Sequence, residues 1–379
     1  PGLAALTADL LDEGSGDRSG IKFHEALGRI GGHFRTEVTS DATLLSVTAL
    51  ARHANEAIAL LVEVVTRPLF ATSEFTRVRD LRLHRLTQLR QVPAVVAERA
   101  YLETLYGAHP YGHLAIGTDT SLRALTTEDV AAFHAEHYAP SRWTLIAVGG
   151  GEGAEMRGLA DQLLDSVPVS PSADAAPPSP HGPPDPPPPR DRLVFIPRVG
   201  AVQSEIWIGH LGATRRTVDY HALLLMNMVL GGQFVSRLNL NLREDKGYTY
   251  GTRTVFDCRL GRGPFTFQAS VQTSATADAI RQVVREISDI RDKRPVTPAE
   301  VAMGCAALTR GFPRNFETAG QIAVAVAKLA LFDLPPNYFS EFVRRVAAVD
   351  VAEVTRVASV YLKPEKLVAV VVGSRAEVL

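Results

Sequence analysis

The sequence predicts an α+β fold of two homologous domains, each a mixed β-sheet with helices packed mainly on one face. Three observations carry this reading. A chain of 379 residues is too long for one ordinary core. Four short motifs recur in the same order: Arg67-Pro68 as Arg294-Pro295, Asp129-Val130-Ala131 as Asp350-Val351-Ala352, Tyr138 with Pro140 as Tyr361 with Pro364, and Ala147-Val148-Gly149 as Val371-Val372-Gly373. Their offsets all lie between 221 and 227 residues, which argues for a duplicated unit. Finally, residues 168–191 hold eleven of the 24 prolines and no large apolar residue after Val169. Such a segment cannot bury a core and reads as an exposed, partly polyproline-II linker. The expected domains are therefore 1–167 and 192–379, with the linker 168–191 between them.

Hydrophobic spacing places helices over 2–13 and 21–30, the second ending at Gly31-Gly32. His33 to Leu50 alternates and is rich in Thr, Val and Ser, as one or two strands would be. Helices are expected over 53–66, 73–91, 95–105, 126–137 and 154–166, with Thr126 as an N-cap and a short buried strand at Trp143–Val148. The second half opens with strands at 193–196 and 204–208 and a helix at 219–229. Paired strands at 248–258 and 264–272 follow. Helices at 275–290, 298–310, 317–331, 336–346 and 350–361 precede a closing strand at 367–372. Two strand patterns stand ahead of the first helix of the second half and none ahead of Pro1, so about two strands are expected to be missing before it. The chain also starts without methionine, as if its N-terminus had been removed or left out.

Apolar residues make up 46% and charged residues 21%, which is the composition of a soluble globular protein. A formal net charge of −1 gives no bulk electrostatic case for nucleic acid or an anionic membrane. Cys258 and Cys305, the only cysteines, exclude a disulfide framework and are expected as free thiols. No run reaches the 18 or so apolar residues of a membrane span.

The eleven histidines make zinc the first chemistry to test. His134 and His137 are three apart, unlike the ligand pairs of His-Glu-x-x-His, and read as surface or packing residues. His109-Pro110-Tyr111-Gly112-His113 is a loop with no third ligand in view. No nucleophile elbow, phosphate loop or dinucleotide fingerprint is present. What remains is Gly231–Gly251, read as a helix entered from a Gly-Gly turn, carrying Phe234, Leu238 and Leu242 on one face and closed by Gly247. Arg243 falls in its last turn and Tyr250 at the start of the next strand. Two readings stand. Arg243 serves the helix macrodipole and Tyr250 packs in a sheet. Alternatively both are donors that hold a peptide carbonyl oxygen and stabilise the charge developing there.

These segments resemble the pitrilysin (insulinase-like) family of zinc metallopeptidases over nearly the whole chain. The matching pieces are Gly2-Leu3-Ala4, Gly31-Gly32 before Thr39-Ser40-Asp41-Ala42-Thr43, Arg67-Pro68-Leu69-Phe70, His109-Pro110-Tyr111-Gly112 and Tyr138-Ala139-Pro140. More specific is Gly231-Gly232 through Ser236-Arg237-Leu238 and Leu242-Arg243-Glu244 to Tyr250. The resemblance implies that Arg243 and Tyr250 contact substrate near the scissile bond. It also implies that zinc is absent from this chain. Where the family has His-x-x-Glu-His after Gly-Leu-Ala, this sequence reads Ala5-Leu6-Thr7-Ala8-Asp9. The third ligand would fall near Gln88, and Leu81 to Ala97 holds no Asp or Glu. A lone Asp9 cannot hold zinc.

The expectation is a non-zinc subunit of a heteromeric metalloendopeptidase. It would supply Arg243 and Tyr250 to the site of a zinc-bearing homologous partner that hydrolyses peptides. No cofactor is expected in this chain itself. The alternative is a non-catalytic scaffold or peptide-binding subunit, as in the family's respiratory-complex core subunits. A third reading makes the chain part of a longer polypeptide whose other half carries the zinc motif. The compact half-unit size and the Arg-rich composition fit a bacterial source, and a soluble chain of the cytoplasm or periplasm is expected.

Overall fold

A computed structural model of the chain describes residues 1–150, 153–167 and 182–375. Most of the expected linker, 168–181, thus lies outside the described residues. The chain forms two compact units, the first of residues 1–88, 114–179 and 315–331, the second of 89–113, 180–314 and 332–379.

In chain order the elements are α1 (Leu3–Leu10), β1 (Gly14–Ser15), β2 (Arg18–Ser19), α2 (Gly20–Arg29), β3 (His33–Val38), β4 (Thr43–Thr48), α3 (Ala54–Thr66), α4 (Thr72–Leu89), α5 (Pro93–Tyr106), α6 (Asp119–Ala124), α7 (Thr127–His137) and α8 (Gly153–Ser166). There follow β5 (Leu193–Pro197), β6 (Gln203–Leu211), α9 (Tyr220–Asn227), α10 (Arg237–Asn239), β7 (Thr252–Phe256), β8 (Pro264–Gln272), α11 (Thr276–Asp289), α12 (Pro298–Arg310), α13 (Ala319–Phe332), α14 (Tyr338–Ala347), α15 (Val351–Tyr361) and β9 (Val368–Gly373). The architecture is mixed α and β, as the periodicity predicts. None of the described helices is long and apolar enough to cross a membrane.

In the first unit, Leu6 and Leu10 of α1 pack with Phe75 and Val78 of α4 and with Val130 of α7. The start of α7 is fixed by a capping box in which Thr126 and Asp129 satisfy each other's backbone N–H groups. α6, which the sequence reading missed, has the same device at Thr118 and Ser121. β3 and β4 form an antiparallel ladder from His33↔Thr48 to Val38↔Thr43. The strand expected at 143–148 is not formed, and Leu145 is 42% exposed. The second unit shows why. There the equivalent strand, β9, is held by ladders to β5 on one side and to β6 on the other. Residues 143–148 pair with no strand among the described residues.

The second unit is built on a five-stranded mixed sheet in the order β5-β9-β6-β8-β7, with β5 and β9 parallel and the other pairs antiparallel. One face carries the main core: Ile206 and Ile208 of β6 against Leu225 of α9, Val283 of α11 and Val357 of α15. The odd-numbered β6 side chains point to the opposite face. Trp207 meets Tyr101 of α5, with ring centroids 5.8 Å apart, and the Tyr101 hydroxyl donates to the Phe265 carbonyl at 2.8 Å. Gly209 lies under that hydroxyl. A Cβ there would sit 2.3 Å from it and 1.9 Å from the Phe265 oxygen, so the helix can lie this close only over glycine. The described end of the proline-rich stretch is seated on this unit rather than free. His109 bonds the Pro184 carbonyl at 2.8 Å, and Arg262 pairs with Asp185 at 3.0 Å.

Candidate functional site

The Gly231–Gly251 stretch departs from the single helix expected. α9 runs into a π-helical turn, Met228–Gly232, that contains both glycines. Crowding accounts for them: a Cβ on Gly231 would lie 2.6 Å from the Thr254 hydroxyl, and one on Gly232 2.7 Å from the Asn227 amide. Residues 233–236 form a turn, and α10 begins only at Arg237, continued by a second π-helical segment, Leu240–Asp245. Phe234 is therefore not on the buried face. It is 63% exposed, whereas Leu238 and Leu242 are fully buried. The end of the segment is as expected. Gly247 has a φ of +65°, and the Tyr248 N–H reaches back to the Leu242 carbonyl at 2.9 Å, closing the helix.

Arg243 projects from this segment with its guanidinium carbon 3.4 Å from the centroid of the Phe234 ring. Its Nη2 lies 3.0 Å from a Glu244 carboxylate oxygen. Its Nη1 is buried and has no hydrogen-bond partner among the described residues. Tyr250 lies in a bend just before β7 rather than in the strand, and is 92% exposed. Among the described residues no hydrogen bond or ring contact joins Tyr250 to Arg243. They lie on either side of Gly247 in the same unit, each with donor capacity unspent.

A buried guanidinium that the sequence reading passed over holds this segment in place. Arg237, 7% exposed, donates to both Glu300 oxygens at 2.6 and 2.7 Å and to the Pro295 and Arg294 carbonyls. Burial opposes the Glu300 charge. The Arg237 hydrogen bonds and those from Thr297 outweigh it and bring the carboxyl down to about 2. The one local signal was the Thr297–Glu300 capping box at the start of α12. Behind the helix, Asn241 donates to Glu286 at 2.8 Å.

In the first unit, α1 carries Ala5 and Ala8, both buried, and Asp9. The α4 side chain that reaches them is Arg82, six residues before Gln88. Its Nε donates to Asp9 at 2.8 Å and its Nη2 to the Ala5 carbonyl at 2.7 Å, with the side chain 12% exposed. Gln88 points elsewhere and meets Arg85 at 3.4 Å. These residues do not fit zinc: one carboxylate is present, already neutralised, and a guanidinium stands where a metal's positive charge would. Among the described residues no three His, Cys, Asp or Glu side chains converge to hold a metal. Over this site opens a groove of about 400 Å³, lined in part by Asp9, Asp12, Arg35, Arg82 and Arg85.

Of the histidines tested as ligands, His109 and His134 are packing residues, and His113 and His137 are exposed. His134 bonds the Val65 carbonyl at 2.8 Å and stacks on Tyr138, and its burial lowers its pKa. His109 accepts from the Tyr111 N–H at 3.0 Å while bonding Pro184. Both cysteines are free, and burial pushes Cys258 up to about 12, which makes it a poor nucleophile.

Comparison with known proteins shows the family and the fold. Residues 1–119 match the family model described as Insulinase (Peptidase family M16), and residues 124–308 match the Peptidase M16 inactive domain. An uncharacterized zinc protease of Mycobacterium tuberculosis is 24% identical over 357 residues, covering 94% of this chain and 80% of the relative. The crystal structure of a peptidase M16 inactive domain from Pseudomonas fluorescens superposes with a TM-score of 0.90 at 25% identity, over 99% of this chain and 89% of that one. A protease from Helicobacter pylori shares the fold, with a TM-score of 0.85 at 18% identity over 98% and 89% of the two chains.

Proposed function

This chain belongs to the peptidase M16 (insulinase) family, and from that premise we propose that it is the metal-free subunit of a heteromeric peptidase, lending Arg243 and Tyr250 to a zinc-bearing homologous partner. The observation that carries the reading is the unspent donor of Arg243. A buried N–H without an acceptor costs stability, about 1–3 kcal/mol, so an acceptor supplied by a bound substrate would be favoured there. Phe234 braces the guanidinium from one side. The exposed Tyr250 offers a second donor. Together they suit a peptide carbonyl oxygen on which negative charge develops during hydrolysis. A donor already in place costs no reorganisation when the charge forms. The first unit supports a division of labour, because Arg82 and Asp9 satisfy each other where the family's metal would be held. The metal would come with the partner.

The test is peptide hydrolysis by this chain alone, by a zinc-bearing homologue alone, and by the two mixed. Turnover is expected only in the mixture. Arg243→Ala is expected to lower kcat about 10²–10³-fold, as loss of one oxyanion donor does, and Tyr250→Phe to lower it in the same direction. Unchanged turnover in both variants would leave the chain as a scaffold.

A further inference from the structure

A second groove, of about 450 Å³, lies in the second unit along α12. Its floor is small and apolar, formed by Ala306 and Ala307 beside Met303, which is 43% exposed. Arg310, the last residue of α12, and Arg314 stand at its edge. No carboxylate lines it. Neither guanidinium has an ion-pair or hydrogen-bond partner among the described residues. The remaining wall includes Gln233, next in sequence to the Phe234 ring that covers Arg243.

The groove on α4 makes the character of this one plain. There three carboxylates, Asp9, Asp12 and Glu13, face three arginines, so the lining is neutral and its most buried cation is already bonded. On α12 the cations are uncompensated. Charge complementarity therefore calls for an anionic occupant, and the apolar floor for one with a hydrophobic neighbour beside the charge. The volume is within the roughly 300–1,000 Å³ of ordinary ligand pockets. A planar guanidinium grips a carboxylate with paired N–H groups.

We propose that the α12 groove is a docking site for peptide segments that carry an acidic side chain next to an apolar one, with Arg310 and Arg314 taking the carboxylate. The site is independent of the reading of Arg243 and Tyr250, since it needs neither a partner subunit nor hydrolysis.

Fluorescence anisotropy on the full chain tests it, with a labelled peptide, acetylated and amidated at its ends, that contains a Leu-Glu pair. The Glu peptide is expected to bind at least tenfold more tightly than its Gln counterpart. The double variant Arg310→Ala, Arg314→Ala should abolish that preference, and rising salt should weaken the Glu peptide selectively. Both arginines are exposed, so the double variant is expected to fold as the wild type does, with circular dichroism as the check. Arg243→Ala should leave the preference intact. Equal affinity for the Glu and Gln peptides overturns the proposal, as does a preference that survives the double variant. So does equally tight binding of a peptide whose only carboxylate is its free C-terminus. A preference lost in Arg243→Ala but kept in the double variant moves recognition to the Arg243 site and leaves the proposed function standing.

Discussion

The helix after each Arg–Pro turn presents a groove at the same places in the two units. Val78, Leu81, Arg82 and Arg85 on α4 correspond, each 225 residues on, to Met303, Ala306, Ala307 and Arg310 on α12. The duplication has kept the face of the helix and changed what is done with charge. In the first unit Arg82 is turned inward and ties α4 to α1 through Asp9 and the Ala5 carbonyl. In the second, Ala307 stands at that position, and the tie is made at the other end of the helix by Arg237, which reaches from α10 to Glu300 and the carbonyls of the Arg–Pro turn. The turn of the first unit needs no such arginine. Its Arg67 carbonyl already accepts from the Gly16 N–H at 2.9 Å. In each unit an arginine thus ties this helix to a neighbouring segment, and the grooves differ in charge because Asp9, Asp12 and Glu13 line the first and no carboxylate lines the second.

This contrast can be broken most easily at Arg237. Arg237→Met should lower the unfolding free energy by about 3–5 kcal/mol, since it leaves a partly buried carboxylate and two carbonyls without their cation. Urea denaturation would show it, and a loss below about 1 kcal/mol would mean that the tie is not structural. Arg82→Met should cost less, about 1.5–3 kcal/mol, because Asp9 is 43% exposed and regains water. Its counterpart Ala307→Arg, at an exposed position, should stay within about 0.5 kcal/mol of wild type. Equal effects at positions 82 and 307 would remove the distinction between the grooves. Arg82 also sets a condition on restoring a metal. Installing Ala5→His, Ala8→Glu and Asp9→His should give no stoichiometric zinc by equilibrium dialysis until Arg82→Glu is added, and zinc uptake by the triple variant alone would show that the guanidinium swings aside freely.

Local features were legible in the sequence and long-range ones were not. Capping residues such as Thr126, Thr297 and Asp350 mark helix starts because they bond within their own first turn. Gly247 marks a helix end because only its backbone tolerates the left-handed turn. The duplication was visible because both copies keep their turn residues. The place of α5 on the sheet of the second unit was hidden, since Tyr101 and Phe265 meet across 164 residues. The strand expected at 143–148 has the apolar run of a buried strand, yet it pairs with no strand among the described residues. At the site, Arg243 and its helix end could be read, while the turn that lays Phe234 over Arg243 could not. The spacing of Phe234, Leu238 and Leu242 mimics a helix, and only Ser236, a cap-type residue just before Arg237, pointed to the later start. Arg82 was missed for a different reason. Which face of α4 looks at α1 depends on Phe75 and Val78 packing against Leu6 and Leu10, and a count from the zinc motif does not contain that rotation.

The two ties can also be separated by titration. Glu300 is held at about 2, below its ordinary 4.5, chiefly because the Arg237 and Thr297 hydrogen bonds overcome the opposing effect of burial. A carboxyl depressed in the folded state stabilises the fold above its unfolded value, and that contribution is lost as pH falls from about 4.5 towards about 2. Glu300→Gln removes the titrating group while keeping a side chain that can accept from Arg237. Plotted against pH, the urea midpoints of wild type and Glu300→Gln should differ by a constant amount above pH 5 and converge as the pH falls towards 2. Curves that stay parallel through that window would show that Arg237 is held by the turn carbonyls rather than by the Glu300 charge. The second unit would then fix its helix much as the first fixes its Arg–Pro turn, by backbone acceptors and donors, with the ion pair as a bystander.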